Sequence, residues 1–244
     1  MVAVRSAGQQ PAQPAPPVPP ANVAAQRPAP PAPDGVALLN GKDLTGWVLK
    51  NEQHKDTWRA VSKVHLDPDN PKKLVGIGES GGLLFRQPVE HGSDIYTREE
   101  FGDCELHIEV LVPVGSNSGI YLMGQYEVQV FDSFRKPDGD LKSSDMGGIY
   151  SLSAPQTNAC AAPGQWQTFD IVFRAPRFDG DGTKLENARF ISVTLNGKKV
   201  QENIEAPKPT GGELSSDERA TGPLMLQGDH GVVAYRNIRI RPAR

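Results

Sequence analysis

Between residues 104 and 112, apolar and polar positions alternate. Leu106, Ile108, Val110 and Val112 share one face, and Glu105, His107 and Glu109 share the other. A period of two over this length predicts a half-buried β-strand. The same pattern recurs at 126–131 (YEVQVF), with Val128 and Val130 opposite Glu127 and Gln129. It recurs again at 169–173 (Phe169, Ile171, Phe173) and at 191–195 (Ile191, Val193, Leu195). Shorter runs at 119–123 (GIYLM), 148–152 (GIYSL) and 81–86 (GGLLFR), and around Trp47 and Trp58, predict further strands. After Leu195 comes Asn196-Gly197 and then KKV, and Asn-Gly supplies the two positive-φ positions of a type I′ hairpin turn. A last strand, VVAYRNIRIRP, stops at Pro242. No stretch sustains a helical period with caps. Short strands separated by Gly- and Pro-rich turns predict an all-β protein, a sandwich or jelly roll of two antiparallel sheets. The polar inserts 134–145 and 208–220 are expected to be surface loops of the length that borders binding sites.

Composition changes this picture at the N-terminus. Residues 1–33 are dominated by Pro, Ala and Gln and have no spaced apolar positions, so they are expected to form a disordered linker. Residues 34–244 suit one β-sandwich domain that needs no metal or disulfide to fold. A net charge of −3 argues against nucleic acid as a partner. No apolar run reaches the ~20 residues of a membrane span. Residues 1–10 show no signal-peptide core, but a Pro/Ala-rich leader is typical of exported domains, so a secreted or periplasmic location is expected. Cys104 shares the parity of Leu106 and should be a buried thiol. A disulfide to Cys160 stays open, and two cysteines make no metal site.

Candidate chemistry gathers in three places. Glu127 and Gln129 project to one side of their strand. Asp132 has the opposite parity and joins them only across a bulge or from the strand end. The E-x-Q-x-x-D spacing loosely resembles the paired carboxylates of retaining β-glucanases, although a merely solvated face fits the spacing as well. His107 and Glu109 form the polar face of the 104–112 strand. LQGDHG (226–231) sets His230 in a Gly-flanked turn able to aim an imidazole into a cleft, with Arg236 following as a fork donor. Asn117 sits in a Ser-Asn-Ser-Gly turn. Glu127, Gln129, Glu109 and His230 are expected to face one common cleft. No phosphate loop, HExxH or G-x-S-x-G motif is present. The acidic turns DPDNP and DGDG lack full calcium-loop spacing. No cofactor is therefore expected, and a divalent metal and the oligomeric state stay open.

Taken in order, LLNGKDLTGW (38–47), SNSGIYL (116–122), YEVQVFDS (126–133), GGIY (147–150), PGQWQTFDIVFRAPRFD (163–179), LNGKKV (195–200), GPLMLQGDHG (222–231) and YRNIRIRP (235–242) resemble the bacterial 3-keto-disaccharide hydrolase family. Where many relatives read Gln-Asp-His, Gly228 here separates Gln227 from Asp229. The resemblance implies a concanavalin A-like jelly roll whose concave face handles carbohydrate. It also implies cleavage of glycosides oxidised at C3, by removal of the C2 proton, elimination and hydration. It assigns acid/base roles to Glu127 and His230, in either order. Gln129, Asn117 and Arg236 become donors to the enolate oxygen, and Glu109, Asp132, Tyr150 and Gln227 become substrate contacts. A non-catalytic carbohydrate-binding module and an ordinary retaining glycosidase are the alternatives.

Overall fold

The computed structural model describes residues 35–243, so the expected linker, 1–33, lies outside the described residues. The larger of two main sheets runs β15 (Lys198–Ala206), β14 (Ala188–Leu195), β11 (Gln167–Arg174), β8 (Cys104–Leu111), β17 (Val233–Pro242), β6 (Leu83–Arg86) and β3 (Trp58–Val61). An eighth strand, β1 (Val36–Ala37), pairs with β17. The smaller sheet runs β10 (Tyr126–Phe131), β9 (Asn117–Leu122), β16 (Gly222–Leu226), β7 (Ile95–Phe101) and β2 (Trp47–Leu49). Two hairpins complete the strands, β4 (Lys63–Leu66) with β5 (Leu74–Ile77), and β12 (Arg177–Phe178) with β13 (Lys184–Glu186). Every pairing is antiparallel, as an all-β sandwich requires.

The core lies between the two sheets. Leu106, Ile108 and Val110 of β8 and Phe169, Ile171 and Phe173 of β11 face Ile120 and Leu122 of β9 and Val128 and Val130 of β10, all buried. A smaller cluster (Val61, Leu74, Phe85, Leu111, Ala234) covers part of the other face of the large sheet beneath the β4–β5 hairpin. The alternation along each strand therefore decides which residues can form a site. On the small sheet, every second residue turns away from the core.

Two sequence expectations change, and the open disulfide is settled. Ile191 does not alternate inward with Val193 and Leu195, and it is exposed. Val172 pairs with Ser192 and Phe173 with Phe190, so Ile191 is the extra residue of a bulge that resets the parity. Residues 148–152 do not form a strand. They run along the edge of β10 through a single bridge, Val128 to Ile149, and fold into turns. The cysteines are free thiols. Cys104 lies opposite Phe173, whereas the Cys160 sulfur receives a bond from Gln167 Nε2, six residues away along β11 and about 20 Å distant at the usual strand rise. The Asn196-Gly197 turn forms as expected, with φ of 51° and 79°.

Candidate active site

The outward face of the small sheet carries the polar constellation. Strand register lays it out in rows. Glu127 of β10 lies directly opposite Tyr121 of β9, then Met225 of β16, Tyr96 of β7 and Val48 of β2. In the next row Gln129 lies opposite Gly119. Beyond them, Gln227 bonds the Gly119 carbonyl through its backbone N–H, and the backbone N–H of Lys50 bonds the Asp94 carbonyl. These residues are neighbours because five antiparallel strands bring alternate positions into line.

The row has little room to spare. A Cβ on Gly119 would lie 2.1 Å from Glu127 Oε1 and 2.9 Å from the Tyr121 ring, so the carboxyl rests on the bare backbone of β9. Gly228 is equally constrained. A side chain there would meet the Ser93 carbonyl at 2.3 Å and the Trp58 ring. Its N–H donates to Asp94 Oδ1 (3.0 Å) and its carbonyl accepts from the buried Arg86 Nε (2.9 Å). The inserted glycine thus clamps the turn that carries Asp229 and His230. His230 Nδ1 lies 2.5 Å from Asp229 Oδ1, and the imidazole is half exposed.

A strap closes over the row. Thr210 Oγ1 accepts the Glu127 N–H (2.9 Å) at the β10 edge. Gly212 follows with φ of 72°, where a Cβ would come within 2.7 Å of the Tyr121 hydroxyl. Lys50 Nζ then donates to the Gly212 and Glu213 carbonyls (3.1 and 3.3 Å) and to Asp94 Oδ2 (3.2 Å). Beneath the strap Glu127 is 2 % exposed and Tyr121 1 %. Burial pushes the Glu127 pKa up to about 8. Bonding from Tyr121 works against that rise, and the charges of Asp94 and Asp229 add to it. Near neutral pH the carboxyl therefore carries its proton. Burial also raises the Tyr121 pKa, which keeps it a phenol and a hydrogen-bond donor.

The other expected site residues divide. Asn117 belongs to the site: its Oδ1 accepts from Gln129 Nε2 (2.6 Å), which leaves its own amide N–H groups as donors. Gln129 also belongs, but not as an enolate donor. Its Nε2 hydrogens go to Asn117 Oδ1 and to the Ser118 carbonyl (3.1 Å), so it presents an acceptor. Gln227 reaches Tyr121 Oη with Nε2 at 3.4 Å, and its buried Oε1 has no partner among the described residues. Tyr150 lies at the rim, over a third exposed, beside Gly211. Asp132 does not join the row. It accepts the N–H groups of Gly115 and Phe134 and fixes the loop beyond β10.

Glu109 and Arg236 are not in the cleft. They face each other across β8 and β17 on the outer side of the large sheet, with the core between them and Glu127. Arg236 Nε (2.7 Å) and Asn237 Nδ2 (2.6 Å) satisfy the buried Glu109, and Arg236 stacks on Trp166 at 4.1 Å. His107, on the same face, bonds Asp170 at 2.7 Å. The strand parity of Glu109 was right. Which sheet its strand enters was not written in its own segment.

A model of the 3-keto-alpha-glucoside-1,2-lyase-like domain matches residues 34–241. The chain belongs to this family. It is accordingly a carbohydrate-active domain. Among solved structures, this 3-keto-α-glucoside-1,2-lyase-like chain is similar to a Parabacteroides distasonis ATCC 8503 protein that carries a provisional assignment as a glycosyl hydrolase. The two are 30 % identical over 86 % of this chain and 84 % of that one, with a TM-score of 0.62. A second such protein from the same organism, 17 % identical over 85 % and 93 % of the two chains with a TM-score of 0.51, shares the fold. No curated protein matches. Among the described residues of this lyase-like domain, no group of three His, Cys, Asp or Glu side chains is placed to hold a metal ion, and no helix is long and apolar enough to cross a membrane.

Sequence reasoning missed Tyr121, Asp94, Lys50 and Arg86. Tyr121 had a usable signal, because it alternates with the inward-facing Ile120 and Leu122. Asp94, Lys50 and Arg86 sit at strand ends, where no period marks them.

Proposed function

We propose that this domain cleaves the glycosidic bond of 3-keto-glycosides by elimination and hydration. The observation that carries the reading is a buried carboxyl, Glu127, on the same face as the Asp229–His230 pair, in surroundings that favour its protonated form. In this assignment His230, oriented by Asp229, takes the C2 proton, which the C3 ketone has made acidic. The C–H electron pair forms C2=C3 while the carbonyl pair moves onto O3. The enolate then re-forms the ketone, C1=C2 appears, and the C1 substituent leaves with its electron pair. Glu127 supplies the proton to that leaving oxygen. Water adds its oxygen to C1 and a proton to C2, so the sum is hydrolysis.

Three features support this over a retaining glycosidase, which needs a free carboxylate nucleophile beside its acid. Asp94 spends both oxygens, on the Gly228 N–H and on Lys50. Asp229 is engaged with His230. Membership of a 3-keto-α-glucoside-1,2-lyase-like family is in keeping with elimination. The test is a matched pair of substrates, a 3-keto-glucoside and its parent glucoside. Cleavage of the first alone is expected, with a loss of roughly 10²–10⁴ in rate for Glu127→Gln. Equal cleavage of both would replace elimination with direct displacement. Tight glycan binding without turnover of either would make the domain a binding module.

A further inference from the structure

We propose that Tyr121 is a catalytic residue, whose phenol donates the hydrogen bond that holds the anionic O3 of the deprotonated keto-sugar. The proposal rests on the elimination reading above and adds to it an enolate donor beside Asn117. An enolate needs a donor aimed at the oxygen where charge appears. Of the donors expected from sequence, Arg236 lies on the other sheet and Gln129 has spent both amide hydrogens, which leaves Asn117.

Tyr121 fits the part of a second donor on three grounds. It stands directly across from Glu127, and side chains so paired have Cβ atoms about 5 Å apart. The oxygens on C1 and C3 of a pyranose lie on either side of C2, so with Glu127 at the C1 oxygen the neighbouring phenol is the group within reach of the C3 oxygen. The phenol oxygen faces an N–H of Gln227 at 3.4 Å, so that contact takes a lone pair and leaves the hydroxyl hydrogen uncommitted there. In the free domain that hydrogen bonds the Glu127 carboxyl, and an anionic O3 is the stronger acceptor that draws it away from a protonated Glu127. Finally, the Gly212 backbone closes on the hydroxyl and excludes water, the setting in which one fixed donor acts most strongly. The buried, unpartnered Oε1 of Gln227 lies in the same corner and is an acceptor left for a sugar hydroxyl.

At the step itself no proton leaves Tyr121. The base takes the C2 proton, the carbonyl pair collects on O3, and the phenol O–H shortens its bond to that oxygen until the ketone re-forms.

Tyr121→Phe keeps the ring packing and deletes only the oxygen. On a 3-keto-glucoside its kcat should fall roughly 10²–10³-fold with KM changed far less. The alkaline limb of the pH–rate profile should also move to higher pH. Asp94 and Asp229 raise the Glu127 pKa, Tyr121 holds it down, and Lys50 stays bound to Asp94. A kcat within a few-fold of wild type in a folded variant overturns the proposal. So does a change confined to KM. Active wild-type protein with an unaffected variant sinks this role alone. Wild-type protein inactive on every 3-keto-glucoside sinks the role and the elimination reading together.

Discussion

At the residue scale, two buried glutamates on polar strand faces differ in their surroundings. Glu127 is buried against a phenol and two other acids, and its pKa rises to about 8. Glu109 is buried against a guanidinium and an amide that satisfy both its oxygens. The first arrangement stores chemistry and the second stores stability. Glu109→Gln should therefore lower stability by about 1–3 kcal/mol, because it leaves Arg236 without its charge partner, while kcat stays near wild type. Thermal melts and a kinetic assay on the same preparation check this. A large fall in kcat at unchanged stability would return Glu109 to the site. The sequence could not separate the two glutamates, since both alternate with apolar neighbours. Only the partner strands, β17 for one and β9 for the other, distinguish them.

At the element scale, the site consists of one strand face and one strap. The strands were legible, because β8, β10, β11 and β17 each follow a clear period of two. The strap was legible only as a polar insert of suitable length. Its path depends on Thr210 meeting the β10 edge, on positive φ at Gly211 and Gly212, and on Lys50 reaching it from beyond β2. No local pattern encodes a contact between Lys50 and residue 212. Lys50→Met should remove the clamp and leave Asp94 without its cation. Faster amide hydrogen exchange is expected at Thr210 and Leu214, whose N–H groups bond the Gln125 and Gly124 carbonyls, with little change in the strands of the large sheet. Unchanged exchange at those two amides would mean that the strap is held by its other contacts alone.

At the scale of the whole molecule, the two sheets are joined behind the site. Tyr235 Oη of the large sheet lies 2.7 Å from Ser118 Oγ of β9, and that hydroxyl is 2.7 Å from the Gln227 carbonyl. The outward site therefore rests on an ordered core. The raised pKa of Glu127 also couples the site to global stability. Its folded pKa exceeds the usual carboxylate value of 4.5, so the contribution is fully present below about 4.5 and is lost as pH rises to about 8. Glu127→Gln should flatten that decline and raise Tm relative to wild type at pH 9, even as it removes activity. A Glu127→Gln melt that tracks wild type across this range would mean that the carboxyl titrates normally. The central claim, cleavage through a C2 carbanion equivalent, is tested most directly by running the reaction on a 3-keto-glucoside in D₂O. The account predicts one solvent deuterium at C2 of the released 3-keto sugar, above the exchange seen without protein. Release of a product carrying only the original hydrogen at C2 would contradict it.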